Sequence, residues 1–85
     1  MMNDPFVAAQ ANALAARIQA EVPRDVWNRK IQRLYEIALT RLPTEKEMEV
    51  SLRMLANAVG PTGQQEAWQR LCLVVLCTNE MISID

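Results

Sequence analysis

Ala67-Trp68-Gln69-Arg70-Leu71-Cys72-Leu73-Val74-Val75-Leu76-Cys77-Thr78-Asn79-Glu80-Met81-Ile82, wound as a helix, is apolar on nearly every side. Such a helix must be covered all round. With Trp68, Cys72, Val75, Asn79 and Ile82 as an inward stripe, a second stripe of Leu73, Val74, Cys77 and Met81 forms on the opposite side, again at spacings of three and four. A contiguous apolar patch left in water marks a partner surface, so Leu73, Val74, Cys77 and Met81 are candidate interface residues. The expectation is a homodimer packed symmetrically through this helix, or docking onto a larger parent protein. Alternatively, the helix lies at the centre of a bundle and the other helices wrap it completely.

Upstream of this stretch the chain also reads as helical. Asp4 before Pro5 is a helix start, an Asx cap followed by a residue whose fixed φ suits the first turn. Val7, Ala11, Leu14, Ile18 and Val22 then form one stripe that ends at Pro23, with intervening alanines that let a neighbour come close. A second helix starts near Arg24 or Asp25 and runs to Arg41, with Trp27, Ile31, Leu34, Ala38 and finally Leu42 facing inward, until Pro43 stops it. Thr44-Glu45-Lys46-Glu47 is a capping box opening a third helix, whose stripe is Met48, Leu52, Leu55 and Val59. Gly60-Pro61 is read as its end, and the fourth helix starts between Thr62 and Glu66. The spacing therefore predicts an all-α, compact four-helix bundle-like single domain over 1–85, with helices near 4–22, 24–41, 44–59 and 64–82.

Composition narrows the function classes. Nine basic and ten acidic residues leave a net charge of −1. Nucleic-acid binding thus has no electrostatic support. Arg24, Arg29, Lys30, Arg33 and Arg41 gather around the second helix, where a solvated face paired with neighbouring acids accounts for them. The longest apolar run, Leu71 to Cys77, falls far short of the ~20 residues of a membrane span. The opening Met1-Met2-Asn3-Asp4-Pro5 has an acid where an export signal carries Lys or Arg, which points to a cytoplasmic chain as given.

The chain contains no histidine. That removes the usual general base, the usual haem ligand and most zinc sites, so the expectation is no catalysis, no metal and no cofactor. Cys72 and Cys77 sit five residues apart on a helix, about 140° around its axis and roughly 7.5 Å along it, so they cannot bridge. Two buried, reduced thiols are expected. Trp27, Tyr35 and Trp68 are read as core anchors.

Asn3-Asp4-Pro5-Phe6-Val7 with Leu14-Ala15-Ala16-Arg17-Ile18, then Tyr35 to Thr44, Trp68-Gln69-Arg70-Leu71-Cys72 and Thr78-Asn79-Glu80-Met81, resemble the end of the PSD-type domain of unknown function. The resemblance is read over essentially all 85 residues and the last part of that domain. It implies kinship with the C-terminal part of large planctomycete proteins that often carry cytochrome c-like domains. For such parent-type proteins the resemblance leaves export open. Cys77 stands where the family usually has Asn, and Met81 where it has an aromatic residue, so the closing motif departs from its pattern. The resemblance implies a fragment or short stand-alone relative of a domain whose activity is unestablished, and the apolar fourth helix points to a non-catalytic packing or protein-interaction module. A second possibility is a fragment contributing Glu80 and Asn79 to an enzyme site completed by another chain or domain.

Overall fold

The computed structural model of the protein describes residues 5–22 and 26–84, with side chains through 78. Its order is α1 (Pro5–Glu21), α2 (Trp27–Leu39), α3 (Glu45–Ala56) and α4 (Gly60–Ile84). The described residues are helical with short connections and no strand, as the periodicity predicts. The expected Asp4 cap and the start of α2 near Arg24 lie outside the described residues.

α1 lays Val7, Ala11, Leu14, Ala15 and Ile18 against the core. Its small Ala11 and Ala15 bring α4 close enough for the buried Trp68 Nε1–H to donate to the Ala15 carbonyl at 3.2 Å. Gln19 and Gln65 tie the same two helices at the surface through reciprocal amide hydrogen bonds of 2.7 and 3.1 Å. Ile18, Ile31 and Leu34 are fully enclosed. Each contributes about 1.5–3 kcal/mol relative to exposure.

α2 ends two residues before the expected Arg41. Thr40 enters the left-handed region at φ 55, and its N–H donates to the Glu36 carbonyl. Beyond it Leu42 precedes Pro43, whose ring disfavours helical backbone at the preceding residue. Leu42 therefore leaves the α2 stripe and stands 58% exposed, a correction to its expected inward position.

α3 opens on the predicted capping box. The Glu47 N–H donates to Thr44 Oγ1 at 3.2 Å, and the Thr44 N–H donates to Glu47 Oε1 at 2.8 Å. Its end differs from expectation, since the helix stops at Ala56 and Val59 is 88% exposed. Gly60-Pro61 opens α4 instead of closing α3. Proline has no N–H to lose in a first helical turn. Gly60 adopts φ 72 with open space where a Cβ would sit, so backbone conformation and not crowding favours glycine there.

α4 touches α1, α2 and α3, whereas α1 and α3 do not meet among the described residues. The apolar helix of the opening stretch is thus enclosed largely by its own chain. Trp68, Leu71, Cys72, Val75 and Cys77 are all buried. This corrects the expected outward stripe: Cys77 belongs to the interior, Leu73 is half-buried against the core, and Val74 alone of the described members is exposed. The side chains of Asn79, Glu80, Met81 and Ile82 lie outside the described residues.

Candidate functional site

Where α3 packs on α4, side by side with the end of α2, a hollow of about 220 Å³ opens. Leu39, Val50, Met54, Leu71, Val74 and Val75 supply its apolar wall. Val50 and Val74 remain 48% and 37% exposed, one from each helix. The two valines stand at the mouth because α3 is short and amphipathic, so only Ser51 and Leu55 of its residues become fully buried.

The polar groups here are Tyr35, Lys46, Glu47, Ser51 and Thr78. Glu47 is committed: the Arg41 guanidinium grips its two oxygens at 2.8 and 2.9 Å, in addition to the Thr44 N–H. Hydrogen bonds from Arg41 first, then from the Thr44 backbone, lower its carboxyl to about 2. Arg41 also lies 5.6 Å from the Tyr35 ring centroid. Burial, assisted by the Glu47 charge, pushes the Tyr35 phenol above its ordinary range. Thr78 turns its hydroxyl inward along its own helix, donating to the Val74 carbonyl at 2.9 Å. The arrangement offers apolar surface with a charged edge and holds its carboxylate in an ion pair.

The Glu47 interactions set a pH response. A carboxyl depressed in the fold contributes stability that is fully present above its unfolded value of 4.5 and is lost as pH falls towards about 2. Acid unfolding of Glu47→Gln should show a shallower loss across that window than the wild type. Thr44→Ala should cost about 1 kcal/mol at neutral pH through the missing cap. Identical acid limbs for Glu47→Gln and wild type would remove Glu47 from this role.

Lys30 was missed as an interior residue. Grouped with the solvated cations by sequence, it is 1% exposed, and its ammonium lies 4.3 Å from the Trp27 ring centroid. Trp27 in turn tilts against Trp68, the ring centroids 5.7 Å apart. A signal existed: Lys30 follows Trp27 by three and adjoins Ile31, a spacing that places it beside the inner face. Arg33 pairs with Glu21 of α1 at 3.0 Å and Arg41 with Glu47 of α3, so neighbouring acids do meet these cations. Arg24 lies outside the described residues.

Both cysteines are free and buried. Burial drives the Cys72 thiol up to about 12, which leaves almost no thiolate at neutral pH. Thiol reagents should label neither cysteine at an appreciable rate in the native chain, and both rapidly in denaturant. Fast native labelling of Cys72 would contradict its enclosure. Among the described residues no three His, Cys, Asp or Glu side chains cluster as metal ligands. Nor is any described helix long and apolar enough to cross a membrane.

Fold and site together define a small all-α domain with an apolar hollow at the α3–α4 seam. A family model described as PSD1, a protein of unknown function (DUF1553), matches residues 1–55, and the chain belongs to that family. The match takes in α1, α2 and nearly all of α3, and stops short of the Trp68–Cys72 and Thr78–Met81 stretches that also carry the resemblance in sequence. No curated protein and no solved structure matches the chain.

Proposed function

We propose that this chain is a non-catalytic helical packing or protein-interaction module, associating through the exposed edge of α4 with a second copy or with a larger PSD-type protein. The supporting observation is the pair Val50 and Val74, exposed on adjacent helices around an apolar hollow. The carboxylate at that hollow is spent on Arg41 and the Thr44 cap, which is a structural use of its charge.

Val74→Glu is the variant that tests self-association. Leu73 is unsuitable because it packs against the core, so Leu73→Glu confounds association with stability. Light scattering should find the wild type dimeric at high concentration and Val74→Glu a folded monomer. A wild type that stays monomeric there removes the homodimer, leaving docking to a larger protein.

A further inference from the structure

We propose that the α3–α4 seam receives an acidic, amphipathic helical segment of a partner protein, an inference that rests on the interaction-module function above. The hollow at Val50 and Val74 does not end at α3's middle. Met54 lines both it and a second hollow of about 210 Å³ towards the start of α4, so the two form one furrow along the seam. Lys46 lines the first hollow at the start of α3, and Arg70 lines the second beside its junction with the first, with Glu66 one turn further along α4. Lys46 and Met54 are eight residues apart on α3; at 1.5 Å per residue that is about 12 Å, and Arg70 lies in the further hollow, so a helix of about three turns spans the furrow.

Shape favours a helix. A furrow open along its length suits a row of aliphatic side chains inserted from a helix. Met54 at the junction is an adaptable contact for such anchors. The charge of the occupant follows from the rim. Neither Lys46 nor Arg70 takes part in an ion pair among the described residues. Glu47 is already neutralised by Arg41, so among the described residues Glu66 is the one uncommitted carboxylate lining the furrow, against two cations. Acidic groups flanking the partner's apolar anchors complete this rim.

Two synthetic amphipathic peptides of about fifteen residues test the proposal. They share a leucine stripe and differ in carrying Glu or Lys on both flanks. Fluorescence anisotropy against the full 85-residue chain at low salt should show the Glu peptide binding roughly tenfold more tightly, with the gap closing as salt rises. The doubly reversed variant Lys46→Glu/Arg70→Glu should invert the preference. Val74→Glu, shown folded by circular dichroism, should lose both peptides. Equal binding of the two peptides, or binding that survives Val74→Glu, overturns the seam assignment. If neither peptide binds while Val74→Glu still abolishes self-association, a second copy fills the furrow, and the acidic partner falls while the interaction module stands. If neither binds and Val74→Glu leaves the dimerisation of the wild type unchanged, both fall; if neither binds and the wild type is monomeric, the acidic partner falls with the homodimer.

Discussion

Trp68→Ala should cost about 3–5 kcal/mol, the largest loss expected from any single truncation in this chain. Its indole is 0% exposed, donates to the Ala15 carbonyl, and tilts against Trp27, so one side chain joins α4 to α1 and α2. A domain of this length has a stability of roughly 4–13 kcal/mol, so the variant is partly unfolded at the lower end of that range. Urea melts should show a much lower midpoint with little change in slope. Trp68→Phe keeps most of the apolar volume and forfeits the hydrogen bond, and should fall between the two. A Trp68→Ala chain that melts like the wild type would place the α1–α4 contact elsewhere.

Leu34→Ala and Leu42→Ala should separate widely, although sequence periodicity puts both leucines on one face of α2. Leu34 is fully enclosed, and its truncation should cost about 2–5 kcal/mol through lost burial and the cavity left behind. Leu42 stands in solvent after the helix has ended, and its truncation should stay within about 0.5 kcal/mol of wild type. Comparable losses at the two positions would mean that α2 continues through Leu42 as the simple pattern suggests.

The difference between those two leucines shows where local pattern stops being informative. Stripe spacing in α1 and the inward positions Ile31, Leu34 and Ala38 were legible because a helix repeats its faces every 3.6 residues wherever it persists. The Thr44–Glu47 box was legible because both of its hydrogen bonds close within four residues. Helix ends were less so. Gly60-Pro61 suits either the close of one helix or the start of the next, and short-range chemistry does not choose between them.

By itself the sequence determined the all-helical class, the Thr44 cap and the burial of Cys72, since each follows from local spacing or from its place on the inward stripe of a helix. Tertiary structure alone decided what covers α4. Three helices packing round it bury Cys77 and half-cover Leu73, and they leave Val74 beside Val50 at the mouth of a furrow. Lys30 was legible only in part: its contact with the Trp27 ring closes within three residues of one helix, whereas its enclosure to 1% exposure depends on how α2 meets its neighbours. Periodicity specifies which residues share a face, but the covering of that face depends on helix crossings between residues distant in the chain, and no local spacing encodes those.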